Sequence, residues 1–296
     1  MVEYHSGTTG LYRVRHSALV TSLARRFLRI RTSRLERLVF TATTGRSGTL
    51  TLTRLFSLVP DCASFHEPYP IMNGLVLKAA SYGEDALVDR IYHRAKTIRI
   101  LRSAVGYRYY MEANHLFVKT FIRQAIEDFG DRIAVVHLVR SPVEVAQSIF
   151  SLQSLPGTEE GNIWWLDYHA PTNIIRIAEL LDADPEFSHP FYRCLWYWYE
   201  VELRFAGWRT QFPSLRVVRF ETPWFNDKGK VFRLLDDLGI EFDPSRIEPI
   251  VGRREHIRTD EKVVDPLPPA EAERMHVRFR QLLADRGLGL PAAGSP

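Results

Sequence analysis

The sequence has few cysteines and no long apolar run. Only Cys62 and Cys194 occur among 296 residues, and neither has a neighbouring Cys or His at the spacing of a zinc site. This excludes a disulfide framework and predicts two buried thiols in a reducing compartment. No window approaches the roughly 18 apolar residues that span a bilayer, and arginines interrupt the N-terminal apolar stretch that could form a signal peptide. We therefore expect a cytoplasmic protein.

Low-complexity tracts and internal repeats are also absent from the sequence. Hydrophobic residues make up 45% and charged residues 25% of the chain, which excludes disordered and fibrous classes. The chain is long for one domain and short for two, so we expect one domain with insertions. The predicted parts are a basic helical extension at 1–37, the main domain at 38–264 with an insertion at about 153–190, and a C-terminal helix and tail at 265–296.

Positive charge is concentrated at the N-terminus. The net charge of the chain is +4, whereas residues 1–37 carry eight arginines against two glutamates, a balance of +6. We do not expect a nucleic-acid partner, because the excess is confined to this segment. Leu19, Leu23, Phe27 and Ile30 recur there at helical spacing, which predicts a basic amphipathic helix. We expect its apolar stripe to pack on the domain; peripheral contact with an anionic membrane is the alternative.

Short apolar runs alternate with helical patterns along the rest of the chain. The predicted strands are 38–42, 62–65, 115–119, 133–139 and 215–220, and the predicted helices are 49–58, 84–102, 120–129, 143–152, 191–211 and 228–238. The run IAVVHLV at 133–139 is typical of a central strand that is covered on both faces. The alternation predicts an α/β three-layer domain with a central, mostly parallel sheet flanked by helices.

Two glycines lie in the turn between the first predicted strand and its helix, in the segment TTGRSGT. Gly45 and Gly48 allow backbone N–H groups to approach an anion, and the helix N-terminus adds partial positive charge. The segment is not a Walker-type loop, because the glycine spacing and the terminal Gly-Lys-Ser/Thr are both missing. A turn that only caps the helix is the alternative interpretation.

A second anion site is predicted where the strand at 133–139 ends. Arg140 follows this strand, and Ser148 lies about two helical turns into the next helix. An arginine and a hydroxyl group that converge in this way can bind a second phosphate.

Together, the two anion elements resemble those of the sulfotransferases that depend on 3′-phosphoadenosine-5′-phosphosulfate (PAPS). The resemblance extends over about 39–264, although only the two elements are specific. It implies that the glycine loop binds the 5′-phosphosulfate, that Arg140 and Ser148 bind the 3′-phosphate, and that no metal ion is required. The cofactor-binding residues that it implies are Gly45, Arg46, Ser47, Gly48, Thr49, Leu50, Thr51, Arg140, Ser148, Arg253 and Arg254.

The resemblance also implies catalytic residues. Cytosolic members carry a histidine base after a Lys-Thr pair, and the matching triplet here is Lys119-Thr120-Phe121, in which phenylalanine cannot accept a proton. Carbohydrate and heparan-type members resemble this chain in placing a glutamate after the second strand, which makes Glu67 the predicted base. A structural pair between Glu67 and an arginine is the alternative. Arg46 and Lys119 are predicted to stabilise charge at the transferring and leaving groups.

The sequence does not identify the acceptor, which is a small molecule, a carbohydrate or a lipid. Candidate acceptor contacts are His66, Trp164, Trp165, Tyr168 and His169. His66 is also the substitute candidate for the base. The four residues of the insertion form either an acceptor platform or a hydrophobic anchor for the loop. Two other functions stay open, namely a kinase-like phosphotransferase with a degenerate loop and a non-catalytic nucleotide-binding or interaction module.

Overall fold

A computed structural model describes residues 18–253 and 263–289 of the chain. Its five strands form one parallel sheet in the order β2-β3-β1-β4-β5. The strands are β1 (Arg37–Ala42), β2 (Cys62–His66), β3 (Tyr109–Ala113), β4 (Ile133–Val139) and β5 (Arg216–Glu221). Helices flank the sheet, so the predicted α/β architecture is confirmed, and four of the predicted strands agree with observed strands to within one residue at each end.

Helices connect the strands and cover both faces of the sheet. The α-helices of the described residues are α1 (Ala18–Arg31), α2 (Thr49–Phe56), α3 (Leu75–Ser81), α4 (Asp85–Ile91), α5 (Thr97–Ser103), α6 (Ile122–Phe129), α7 (Pro142–Leu152), α8 (Ala178–Ala183), α9 (Pro190–Gln211), α10 (Lys228–Leu238), α11 (Pro244–Ile247) and α12 (Pro269–Asp285). Two π-helical turns, Tyr92–Lys96 and Phe117–Phe121, lie beside α4 and α6. None of the helices in the described ranges is long and apolar enough to cross a lipid bilayer.

The core follows from the alternation of side chains along the strands. Leu38 and Phe40 of β1 pack on one face of the sheet, with residues of α3 to α6. Val39 points to the other face and packs with residues of α2 and α10. A further apolar cluster joins α7, α9 and α12 beside the sheet. Both faces are therefore buried, as the continuous apolar run of β4 predicts.

The predicted strand at 115–119 is wrong. The strand is β3, which ends at Ala113, and Phe117–Phe121 forms a π-helical turn. β3 is difficult to recognise because Glu112, a charged residue, is fully buried within it. This carboxylate lies 2.6 Å from Lys96 Nζ, and it accepts hydrogen bonds from the Tyr110 hydroxyl and from Asn114 Nδ2. A buried charge is tolerated where it is paired in this way.

The packing predicted for the N-terminal apolar stripe is also wrong. Leu23, Phe27 and Ile30 of α1 are 60%, 59% and 68% exposed; the side chain of Leu19 lies outside the described part of the chain. The opposite face of α1 contacts the domain instead, through Arg25 Nη2 and Arg29 Nη2, which lie 2.6 and 3.0 Å from Asp128 Oδ1. The helix is therefore amphipathic, as predicted, but its apolar face points outward.

Both cysteine thiols are free. Cys194 is buried in α9 and Cys62 is half-buried at the start of β2. Burial raises the pKa of the Cys62 thiol to about 12, so this thiol is protonated and unreactive at neutral pH.

The strand order positions the functional site. β1 lies between β3 and β4; the chain leaves β1 toward β2 on one side, and it leaves β4 toward β5 on the other side. The loops that follow β1 and β4 therefore diverge and open a crevice at the carboxyl ends of these two strands. In parallel α/β sheets, ligands bind in such a crevice.

Candidate functional site

The glycine loop connects β1 to α2. Gly45, Arg46 and Gly48 have φ values of +82°, +57° and +91°, in the left-handed region that glycine adopts without strain. Gly48 is the N-cap of α2, and no side-chain hydrogen bond caps this end of the helix. The first-turn N–H groups of α2 therefore have no side-chain acceptor at the cap position. This arrangement fits an anion.

Hydroxyl groups hold the loop in this conformation. Ser47 Oγ donates to the Gly45 carbonyl oxygen at 2.9 Å, and Ser47 is fully buried. Thr222 Oγ1 lies 2.8 Å from the Ser47 carbonyl oxygen and 3.2 Å from that of Val139, the last residue of β4. The Ser47 hydroxyl was predicted to contact phosphosulfate, whereas here it donates within the loop. Thr222, which the sequence analysis missed, links the loop to β4.

Substituting Gly48 with alanine should damage the site directly. A Cβ atom at this position would lie 3.0 Å from Phe225 Cε2, and the residue would keep its strained φ. We expect a loss of about 1–3 kcal/mol in the free energy of unfolding and weaker anion binding. Urea unfolding and calorimetric titration with a nucleotide measure the two effects.

Gly207→Ala is the matched control for this substitution. Gly207 lies within α9, where an added Cβ meets no atom within 4 Å. Because alanine is favoured over glycine inside a helix, this variant should gain up to about 1 kcal/mol and keep nucleotide affinity. Equal stability and affinity in both variants would contradict the role given to the Gly48 conformation.

The two predicted anion elements form one cluster. Arg46 Nε donates to Ser148 Oγ at 2.8 Å, and Arg140 Nη1 donates to the Arg46 carbonyl oxygen at 2.9 Å. Trp198 Nε1 donates to the Arg140 carbonyl oxygen at 3.0 Å, which fixes the end of β4. Arg140 Nη2 also lies 3.3 Å from Glu144 Oε1. Two guanidinium groups and a hydroxyl group thus converge above the carboxyl ends of β1 and β4.

In this cluster, Arg46 lies beside Ser148. The resemblance assigned Arg46 to the 5′-phosphosulfate and Ser148 to the 3′-phosphate, yet the two side chains are in contact. Leu50 and Thr51 lie half-buried in the first turn of α2. Thr49, at the N-terminus of α2, contacts His66, whereas the side chain of Arg46 extends to Ser148 of α7.

The predicted basic loop lies close to the glycine loop through Phe225. Gly252 N donates to the Phe225 carbonyl oxygen at 2.9 Å, and the Phe225 ring packs beside Gly48. Arg253, the next residue, is exposed. Arg254 lies outside the described residues.

Glu67 lies next to a histidine that the sequence analysis missed. Glu67 follows β2, as predicted, and its N–H donates to the carbonyl oxygen of Ala113, the last residue of β3. Its carboxylate Oε1 lies 3.5 Å from His115 Nε2. The Glu67 side chain is 19% exposed, whereas His115 is buried and packs against Gly45. Glu67 is thus the accessible end of the pair.

Lys119 connects this pair to the glycine loop. Its Nζ atom lies 2.8 Å from His115 Nδ1, 2.8 Å from the Tyr197 hydroxyl and 3.0 Å from the Trp164 carbonyl oxygen. The Tyr197 hydroxyl in turn donates to the Thr44 carbonyl oxygen at 2.7 Å. A continuous polar network therefore runs from Glu67 through the interior to the glycine loop. Lys119 is buried within the network and is not a solvated residue at a strand end.

Burial controls the charges of the network. It lowers the pKa of His115 well below its usual value, and the positive charge of Lys119 adds to this effect. It also lowers the pKa of Lys119 well below its usual value, although the Glu67 carboxylate opposes the shift. His115 is accordingly neutral near pH 7 and carries one ring proton. When Lys119 donates to Nδ1, that proton lies on Nε2, the atom that faces Glu67.

His66 also lies beside the glycine loop. Its Nε2 atom is 3.0 Å from Thr49 Oγ1 at the start of α2. The alternation of side chains along β2 predicts that His66 and Glu67 point apart. The two residues nevertheless border the same loop, because Thr49 begins the helix that the loop caps.

The predicted acceptor residues of the insertion separate into two groups. Trp164 and Trp165 border the network, with ring centroids 6.3 and 5.4 Å from that of His115. Tyr168 is buried and donates to Asp182 Oδ1 at 2.6 Å, and His169 lies 2.9 Å from Asp182 Oδ2. Tyr168 and His169 therefore anchor the insertion to α8, and the structure favours the anchor interpretation for these two residues.

The Lys-Thr-Phe triplet does not mark the base position. Phe121 is fully buried and packs with Phe40 and Phe117 at ring-centroid distances of 6.0 and 5.2 Å. His115, two residues after β3, packs against Gly45 of the glycine loop. A correct end for β3 would have identified it from the sequence. The charged Glu112 interrupts the apolar pattern of β3, so the pattern did not show where this strand ends.

Within residues 18–253 and 263–289, no group of three or more His, Cys, Asp or Glu side chains is arranged to hold a metal ion. The candidate site is instead a cationic crevice beside a carboxylate. Its geometry allows an anionic ligand to bind at the loop while Glu67 accepts a proton from a second molecule.

Three solved sulfotransferase structures align with this chain, each at 15% identity. The sulfotransferase domain from the curacin biosynthetic pathway covers 88% of this chain and 100% of that domain, with a TM-score of 0.43. The alignment with the sulfotransferase from Alicyclobacillus acidocaldarius covers 86% of this chain and 97% of that protein, with a TM-score of 0.42. The alignment with the sulfotransferase domain of a Synechococcus olefin synthase covers 86% of this chain and 95% of that domain, with a TM-score of 0.43. No protein-family model matches the sequence, and no curated protein matches it.

Proposed function

We propose that this protein is a sulfotransferase that moves the sulfuryl group of PAPS to a hydroxyl or amine of an acceptor. One observation carries the proposal. The uncapped glycine loop and the cluster of Arg46, Arg140 and Ser148 lie at the carboxyl ends of β1 and β4, and His115, which packs against Gly45, lies 3.5 Å from Glu67. An anion site and a candidate base are thus adjacent, which group transfer from an anionic donor requires.

The residues of the crevice fit a donor with two phosphate groups. The N-terminus of α2 offers backbone N–H groups, and Thr49 lies there beside His66. Arg140 and Ser148, with Arg46 in contact, would hold the 3′-phosphate. The loop amides and Thr49 would hold the 5′-phosphosulfate. When bound, PAPS supplies an activated sulfuryl group for in-line displacement.

In this proposal Glu67 accepts the proton of the acceptor. Its carboxylate is partly exposed and follows β2 at the rim of the crevice, whereas His115 behind it is buried. The proton moves from the acceptor oxygen or nitrogen to a Glu67 carboxylate oxygen. His115 Nε2 faces the other side of that carboxylate and positions it.

Lys119 acts in this proposal as a positioning residue. Each of its three hydrogen-bond partners belongs to the protein, so its side chain orients His115 and, through Tyr197, the Thr44 carbonyl at the start of the loop. The sequence analysis predicted that Lys119 stabilises charge at the leaving group. In this proposal the loop and Arg46 contact the leaving group instead. Arg46 and Arg140 are both partly exposed cations of the site.

Calorimetric titration with 3′,5′-bisphosphoadenosine, beside ADP and ATP with and without magnesium, tests the proposed function. A tight, metal-independent preference for the 3′-phosphorylated nucleotide is expected. Magnesium-dependent ATP binding would indicate a kinase, and the absence of nucleotide binding would indicate an interaction module. A screen of acceptors with radiolabelled PAPS then tests turnover.

Arg140→Ala should weaken binding of the 3′-phosphorylated nucleotide selectively. Arg140 supplies a guanidinium group at the end of β4, and a hydrogen bond to a charged group contributes about 1.5–3 kcal/mol. We therefore expect the Kd for 3′,5′-bisphosphoadenosine to rise about tenfold to hundredfold. The Kd for adenosine 5′-monophosphate, which lacks the 3′-phosphate, should change by less than about threefold.

Arg209→Ala is the control for this substitution. Arg209 is an exposed arginine in the last turn of α9, so its removal changes the net charge equally and should leave both Kd values unchanged. Equal losses for both nucleotides in Arg140→Ala would remove the 3′-phosphate assignment.

A further inference from the structure

Helix α1 is oriented with its apolar face outward. Leu23, Phe27 and Ile30 lie within about 60° of arc on a helix with 3.6 residues per turn, and each is more than half exposed. A single exposed apolar residue is ordinary, but a stripe of three on one helix face marks an interaction surface. We call these three residues the α1 stripe.

The orientation of α1 is held by charge. Arg25 lies opposite the α1 stripe and, with Arg29, contacts Asp128 at the end of α6. The hydroxyl of Thr32, beyond the end of the helix, lies 3.0 Å from the Leu28 carbonyl oxygen, and Leu28 packs against the core. The domain therefore contacts the face of α1 that carries Arg25, Leu28 and Arg29, and the α1 stripe is left exposed.

Basic side chains border the α1 stripe on both sides. By helical geometry, Arg26 lies about 40° from Ile30 on one side and Arg31 about 40° from Phe27 on the other. The Arg31 guanidinium carbon is 5.9 Å from the centre of the Phe27 ring. Arg26, Arg31 and the following Arg34 are exposed, and residues 18–34 contain no Asp or Glu. The exposed surface of α1 is thus apolar at its centre and cationic at its edges.

We propose that the α1 stripe docks on an anionic lipid surface. A helix that lies in the plane of a bilayer inserts Leu and Phe side chains at the level of the acyl chains and directs arginines toward the headgroups. The apolar centre with cationic edges on α1 fits this arrangement, and a negatively charged leaflet complements the arginines. The charge of +6 over residues 1–37 adds to the attraction. This proposal does not depend on the proposed sulfotransferase activity.

Vesicle flotation with the full-length protein tests the docking surface. We expect binding to vesicles of phosphatidylcholine with phosphatidylglycerol, and little binding to phosphatidylcholine alone. Phe27→Ser/Ile30→Ser should lower the partition coefficient at least about tenfold. Arg26→Glu/Arg31→Glu should lower it by about fivefold or more per arginine and weaken its dependence on salt.

Val277→Ser is the matched control. Val277 is 57% exposed on α12, a helix that also carries arginines, so this variant removes an equally exposed apolar side chain and should bind vesicles as the wild type does. Circular dichroism and nucleotide titration confirm that each variant is folded. Three results would overturn the proposal: no binding to anionic vesicles, equal binding to neutral vesicles, or binding that survives both α1 double variants. Concentration-dependent dimerisation that Phe27→Ser/Ile30→Ser abolishes, without vesicle binding, would assign the α1 stripe to a second copy of the chain instead.

Discussion

Glu67→Gln should lower the rate of sulfuryl transfer by about 10²- to 10⁴-fold, the usual contribution of a general base. The amide has nearly the shape of the carboxylate but cannot accept the proton of the acceptor. The carboxylate lies 3.5 Å from His115 Nε2 and outside the cluster formed by Arg46, Arg140 and Ser148. Nucleotide affinity should therefore stay within about twofold of the wild type. Transfer from radiolabelled PAPS to an acceptor found in the screen, together with calorimetric titration, separates the two effects.

Two further variants make this test specific. Glu159→Gln changes an exposed glutamate of the insertion and should leave transfer unchanged. His115→Asn removes the side chain that faces Glu67, and it should lower transfer less than Glu67→Gln does if His115 only positions the base. Full activity in Glu67→Gln, or a larger loss in His115→Asn than in Glu67→Gln, would show that Glu67 is not the base.

Lys96→Met should lower the free energy of unfolding by about 3–5 kcal/mol, because it leaves a buried charge without its partner. Lys96 Nζ lies 2.6 Å from Glu112 Oε1, and both side chains are fully buried. Burial lowers the pKa of Lys96, and the Glu112 carboxylate opposes that shift. Nζ also donates to the carbonyl oxygens of Pro68 and Pro70, at 3.2 and 3.0 Å. The substitution therefore also loosens the segment that follows Glu67.

Urea unfolding of matched variants measures this effect. Lys228→Met breaks an ion pair with the same kind of geometry, 2.7 Å from Glu248, in which both side chains are more than half exposed. That variant should lose about 1 kcal/mol or less, because solvent screens the pair. Lys96→Met/Glu112→Gln should recover part of the loss, since no uncompensated charge stays buried. Similar losses in Lys96→Met and Lys228→Met would contradict the importance of burial for the Lys96–Glu112 pair.

Local patterns in the sequence were sufficient for four of the five strands and for the two elements that we propose to bind anions. Each of these features lies in one short segment of the chain, namely the apolar run of β4, the TTGRSGT turn, and the pair formed by Arg140 and Ser148. Their geometry follows from strand and helix periods and from the conformational freedom of glycine. The strand order at the crevice agrees with the same patterns, because β1 and β4, the strands that precede Gly45 and Arg140, are neighbours.

The catalytic half of the site was only partly predictable. Glu67 was correctly placed after β2, but His115 was missed and Lys119 was placed at the end of a strand that does not exist. The error arose at Glu112, which is charged yet buried because Lys96, 16 residues earlier in the chain, pairs with it. The apolar pattern of β3 does not reveal that pairing, since Lys96 lies on a different element, the π-helical turn Tyr92–Lys96.

Tertiary structure alone decided which groups meet. Tyr197 reaches Lys119 across 78 residues of sequence, and Arg25 reaches Asp128 across 103. The sequence predicted the amphipathic pattern of α1, but it did not predict which face of the helix contacts the domain. That choice depends on the free energy of the arginine contacts with Asp128 relative to apolar burial, and both are properties of the folded chain. Sequence periodicity therefore specified most of the elements and the glycine turn, and long-range pairing of charges specified the polar network and the outward face of α1.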